Sequence, residues 1–144
     1  MEQACLDTNV LIELSRRKLV RYIEPEDNMY LPVIVFYEFL RGLAYLGRDI
    51  GRAKRELEYR FHIIWLDNSV LEKASEIYVE LRRKGVLIPD PGILIAASCI
   101  SHGLPLATYN REHFERIPGI KLKDPDEIIS ELNMYKALIK RESS

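Results

Sequence analysis

Short unbroken apolar runs alternate along this chain with longer stretches where apolar residues return at helical spacing. Ala4–Leu6 is the first run, ending at Asp7. Asp7-Thr8-Asn9 then offers cap residues for a helix carrying Val10, Leu11, Ile12 and Leu14. A short helix over residues 19–23 and a strand at 30–31 follow. Residues 33–46 read as a helix with Phe36, Leu40 and Leu43 on one stripe, 48–60 as a charged, exposed helix, and 62–66 as a strand. Ser69 is expected to cap a helix reaching Lys84, with Leu71, Ala74, Ile77, Tyr78 and Leu81 inward and Gly85 ending it. Pro89-Asp90-Pro91 opens a helix to His102 that is apolar nearly all round, and so is expected at the centre. Gly103 stops it. Strands at 104–107 and 120–122 flank a short helix around His113, and Asp124-Pro125 caps a final helix. Strands alternating with helices long enough for crossovers predict an α/β fold with a parallel sheet.

At 144 residues the whole chain, 1–144, is expected to form one domain. Hydrophobic residues make up 47% and charged ones 30%, a globular balance that excludes a disordered chain. No apolar run approaches the roughly 20 residues of a spanning helix. The start, MEQACLDTN, lacks a basic segment followed by an apolar one, so a cytoplasmic location without membrane contact is expected. Lys and Arg total 21 against 22 Asp and Glu, which excludes a uniformly basic nucleic-acid coat but leaves room for a local patch. Cys5 and Cys99 lie in apolar stretches and read as buried reduced thiols.

The candidate chemistry is acidic. In open parallel sheets sites form beyond the carboxyl ends of the strands, and both Asp7 and Asn110 follow apolar strands there. Asp7 taken alone reads first as a helix cap. Glu38 is more telling, because it stands within the apolar stretch FYEFL. Its local partner would be Arg41, in a pair worth a few tenths of a kcal/mol. Gly42, one turn on, costs a helix about 1 kcal/mol relative to Ala, so close packing or open approach to Glu38 should require it. Carboxylates gathered at one edge repel, at about 4 kcal/mol for a pair some 4 Å apart at an effective dielectric of 20. Protonation or a hard divalent cation relieves this, and Mg²⁺ or Mn²⁺ suits oxygen donors. His62, His102 and His113 show no metal-ligand spacing.

LDTNVLIE, YEFLRG, IPDPGILIAAS and LPLATYNREHFERIPGI, in that order over nearly the whole chain, resemble the PIN-domain family, specifically VapC-type toxins. The resemblance implies a three-layer α/β/α sandwich with a central parallel sheet, Mg²⁺- or Mn²⁺-dependent ribonuclease activity on RNA, and a small antitoxin protein as partner. Carried over, Asp7 and Glu38 match the first two acidic ligands, Asn110 the fourth position, and Thr108 the hydroxyl residue beside it. The third acid, which opens the LIAA helix in the family, is Gly92 here. Asp90 is the nearest carboxylate. It either caps its helix before Pro91 or stands in as the third metal ligand.

The reading is thus a metal-dependent endoribonuclease, with catalytic residues Asp7, Glu38, Asn110 and Thr108 and an ion held by Asp7, Glu38 and Asp90. The alternative is a catalytically impaired PIN domain that binds RNA or an antitoxin. A structure-specific DNA nuclease is a weaker third reading, since no DNA-clamping insertions are present. Arg41 and Arg111, beside motif residues, are the RNA-binding candidates. The runs Arg16-Arg17-Lys18 and Arg82-Arg83-Lys84 read as helix C-terminal cations. Phe36 is expected in the core, and Tyr37 and Tyr45 either in the core or at a partner interface. A homodimer is also expected.

Overall fold

The computed structural model describes residues 1–143. Five strands, β1 (Ala4–Leu6), β2 (Met29–Pro32), β3 (His62–Ile64), β4 (Leu106–Ala107) and β5 (Leu122–Lys123), form one sheet in the order β3-β2-β1-β4-β5. Every pairing is parallel; Ala4 lies against Met29 and Leu6 against Ala107. Seven helices flank the sheet: α1 (Thr8–Arg16), α2 (Val33–Tyr45), α3 (Ile50–Arg60), α4 (Asn68–Lys84), α5 (Asp90–Ser101), α6 (Arg111–Phe114) and α7 (Pro125–Glu142). Two short 3₁₀ turns, Val20–Tyr22 and Pro25–Asp27, lie between α1 and β2.

The burial pattern explains why these residues make these elements. All three residues of β1 are buried, which is why it reads as an unbroken apolar run rather than an alternating one. α5 buries Ile93 and everything from Ile95 to Cys99, so its near-uniform hydrophobicity does mark it as central. Both cysteines are free and buried, as expected. Gly85 and Gly103 hold φ of 70° and 64° and end α4 and α5, where an L side chain would be strained.

Several boundaries differ from the sequence reading, each for a hydrogen-bonding reason. Asp67, not Ser69, caps α4: its carboxylate accepts from Val70 N at 3.0 Å, and the Ser69 hydroxyl donates to it instead. Leu104 is no strand residue, because its N–H closes the end of α5 on Cys99 O. Ile120 is likewise held in a turn by its bond to Ile117 O, so β5 starts later. β3 stops at Ile64, the last residue with a partner on β2, and leaves Trp65 exposed. On α4 the inward residues are Val70, Ala74, Ile77 and Leu81, while Leu71 faces out. On α2 they are Val35, Phe36 and Phe39, with Leu40 and Leu43 only partly covered.

The topology also fixes where a site can be. From β1 the chain moves outward through β2 to β3, then returns to place β4 on the other side of β1. The sheet order therefore reverses between β1 and β4, and the connections leaving their carboxyl ends part to opposite sides, opening a crevice. Asp7 follows β1 and Thr108 follows β4 at that point.

Candidate active site

Backbone pairing sets the site's first two members. Asp7 N–H donates to Ala107 O at 3.0 Å, which locks the ends of β1 and β4 side by side. The Thr108 hydroxyl, only 1% exposed, then donates to Asp7 Oδ2 at 2.8 Å and accepts from Asn110 N–H at 3.0 Å. Asp7 Oδ1 accepts from Thr8 N–H at 2.9 Å, so the carboxylate does cap α1 as well. The Thr8 hydroxyl donates to Glu38 Oε1 at 2.7 Å. One residue thus ties both acids together, its amide holding Asp7 and its hydroxyl holding Glu38. Sequence reading passed over Thr8, although its place between Asp7 and Asn9 in the cap was a signal.

Asp7, Glu38 and Asn110 line one open cleft of about 230 Å³, with Gly92 and His113 on its wall. The cleft brings together three of the residues expected there, and Thr108 supports them from beneath. Burial pushes the Asp7 carboxyl above its ordinary range; the bonds from Thr108 and Thr8 oppose that, and the Glu38 charge adds to it.

Asp90 is not part of this arrangement. It lines a different hollow, between α4 and α5, beside Leu71, Tyr78 and Leu94. Nor does it cap its helix: Pro89 is the cap residue, Asp90 is the first residue of α5, and its side chain makes no capping bond. Arg41 and Arg111 are exposed and outside the cleft. Arg41 leans back on Glu38 Oε2 at 3.8 Å and over the Tyr37 ring at 5.3 Å. Nothing within 4 Å would meet a Cβ at Gly42, so close packing inside the chain is not what its bare surface serves. His113, set aside on spacing, is brought in because α6 starts directly after the β4 loop, a placement no local spacing encodes.

Among the described residues no three His, Cys, Asp or Glu side chains converge on one ion-binding point. Two carboxylates do share the cleft, one of them with its pKa raised by burial, and the carboxamide of Asn110 lies beside them. That is a hard-oxygen set suited to Mg²⁺ or Mn²⁺, which can be held by one or two carboxylates with water and substrate phosphate completing the shell. Asp7 and Glu38 therefore fit such an ion.

Fold and cleft together define a class: a five-stranded parallel α/β domain that gathers acids at its topological switch point. The PIN domain model matches residues 4–120, and the chain belongs to the PIN-domain family, among relatives that are VapC ribonucleases. Ribonuclease VapC1 of Methanocaldococcus jannaschii is 32% identical over 122 residues, covering 83% of this chain and 85% of that one. The VapC ribonuclease PF0355 of Pyrococcus furiosus is 25% identical over 133 residues, 89% of each chain. Among solved structures, a DNA-bound VapBC from Salmonella typhimurium superposes with a TM-score of 0.71 at 28% identity, covering 87% of this chain and 99% of that one. A toxin–antitoxin complex from Klebsiella pneumoniae shares the fold, with a TM-score of 0.66 at 24% identity over 85% of this chain and 98% of that one. Among the described residues no helix is long and apolar enough to cross a membrane.

Proposed function

We propose that this chain is a metal-dependent endoribonuclease, the toxin of a toxin–antitoxin pair, cutting RNA phosphodiester bonds by hydrolysis. The observation that carries the reading is the Asp7–Thr8–Glu38 arrangement at the carboxyl edge of β1, in a chain whose relatives are ribonucleases. Asp7 and Glu38 would hold the Mg²⁺ or Mn²⁺, without Asp90. When bound, such an ion would supply Lewis acidity toward water and phosphate.

The chain's own residues do the positioning. Thr108 fixes the Asp7 carboxylate through Oδ2, leaving its other lone pairs for the cleft. Thr8 fixes Glu38 in the same way. Asn110, whose side chain is not used in capping α6, presents an amide to orient the attacking water. Arg41 and Arg111, at the margin, bind flanking phosphates of the RNA. A small antitoxin protein is the expected partner, as in the neighbouring complexes, and a second copy of the chain is expected beside it.

The second reading, a PIN domain that binds RNA or antitoxin without cutting, is favoured by one observation: Gly92 leaves two carboxylates in the cleft where the family pattern has three acids. Purified protein, RNA and Mn²⁺ decide between them. Cleavage that is lost with EDTA, with Asp7→Asn and with Glu38→Gln supports the nuclease. Binding of RNA with no ion-dependent cleavage supports the second reading.

A further inference from the structure

The cleft holds one group that this mechanism leaves unused. His113 stands on its wall, partly buried, with its ring edge-on to Phe114 at 5.5 Å between centroids. Among the described residues its ring nitrogens have no hydrogen-bond partner, whereas His62 and His102 each spend one on a backbone carbonyl. What it faces is the vacant position of residue 92. A Cβ built on Gly92 would lie 3.5 Å from His113 Nε2 and 3.8 Å from Cδ2. Any side chain at 92 would thus start out in van der Waals contact with that edge of the ring. The bare glycine leaves that edge open to the cleft.

We infer that His113 is a phosphate-contacting residue, with its Nε2–H donating to a non-bridging oxygen of the RNA phosphate seated over Gly92. This rests on the ribonuclease reading and adds to it a substrate contact in the same cleft as the acids. Three observations favour phosphate over an ion as the partner of the ring. His113 does not join Asp7 and Glu38 in a three-ligand cluster. Its nitrogen faces Gly92, in the first turn of α5, where the helix dipole favours an anion. Finally, the two carboxylates in the cleft offer no donor to an anion, so a phosphate entering it needs donors from the other lining residues, His113 among them. Gly92 and His113 then work as a pair: losing the side chain at 92 gives up an acidic ligand and admits the phosphate to the imidazole.

The test uses the intact protein with a fluorescein-labelled single-stranded RNA of about a dozen nucleotides. Binding is read by anisotropy with Ca²⁺ as the ion, on samples checked for uncut RNA. His113→Ala should weaken RNA binding about tenfold, the worth of one hydrogen bond to a charged group. His113→Asn, which keeps a donor, should recover much of it, and because it also serves if the alanine variant folds poorly, it keeps the comparison decisive. Mn²⁺ affinity of the RNA-free protein, from the electron paramagnetic resonance of free Mn²⁺, should be unchanged in both variants. Wild-type RNA affinity in both variants overturns the inference. So does a fall in Mn²⁺ affinity in His113→Ala and His113→Asn, which would make the ring an ion ligand. Wild-type protein that binds neither RNA nor Mn²⁺ would overturn the ribonuclease reading along with it.

Discussion

Asp7 shows how one residue can serve the fold and the site at once, with the two roles in conflict. As a cap it satisfies Thr8 N–H, and as a ligand it must stay charged in a partly buried place beside Glu38. Its raised pKa has a definite sign in stability. The folded state holds the proton more tightly than the unfolded chain, so this contribution is most favourable below the ordinary value of 3.8 and is lost as pH rises through the folded value. Asp7→Asn keeps an acceptor for Thr8 N–H and removes the buried charge. In EDTA at neutral pH this variant should melt a few degrees above wild type by scanning calorimetry, while its RNA cleavage is lost. Added Mn²⁺ should raise the wild-type melting point and leave the variant's nearly unmoved. Gly92 gives the opposite experiment. A Cβ there meets the Cδ1 methyl of Ile88 at 3.1 Å and the His113 ring at 3.5 Å, so the fold should accept an aspartate once Ile88 gives by a few tenths of an ångström. Gly92→Asp should tighten Mn²⁺ roughly tenfold by titration, through one more hard ligand and one more negative charge. Asp90→Asn should leave Mn²⁺ affinity alone, because Asp90 faces the hollow between α4 and α5.

Among the elements, α2 is the one whose sequence is least explained by the chain's own packing. Its buried face needs Val35, Phe36 and Phe39, yet Tyr37 is also exposed and Tyr45 is 91% exposed. The sequence placed Phe36 in the core but left Tyr37 and Tyr45 between core and interface, because apolar side chains mark every face of this helix. Gly42 sits on the open side with nothing within 4 Å of a Cβ and no positive φ. Gly42→Ala should therefore stabilise the isolated protein by about 1 kcal/mol, the intrinsic helix difference, in urea unfolding. Its metal affinity should be unchanged. The caps were legible only in part. Asp124 before Pro125 caps α7 as read, with its carboxylate accepting from Asp126 N–H. For α4 and α5 the order of competing cap residues was decided by backbone angles: Asp67 is extended and Asp90 already helical.

Over the whole molecule, the hollow between α4 and α5 leaves apolar side chains in water: Leu71 is 47% exposed and Val79 42%. If the chain forms the expected homodimer, this is one face that gains from being covered. Sedimentation at micromolar concentration should give a dimer for wild type and a monomer for a Leu71→Glu, Val79→Glu variant. A wild-type monomer would remove the homodimer from the picture, and a dimer unaffected by these changes would place its interface elsewhere.

The sequence by itself determined the parallel α/β fold, the central place of α5, the buried thiols and the family, because each follows from local hydrophobic period or from contiguous motifs. It also set Asp7, Thr108 and Asn110 at strand ends, since a residue directly after a parallel strand has little choice of edge. Only the tertiary structure decided which side chains share the cleft. Glu38 reaches Asp7 through the hydroxyl of Thr8, thirty residues away in sequence, and His113 reaches Gly92 across the end of the sheet. Asp90, two residues from Gly92, faces another hollow, because successive residues of a helix point about 100° apart. Proximity in sequence made Asp90 a candidate ligand. The turn of α5 took it out of the cleft.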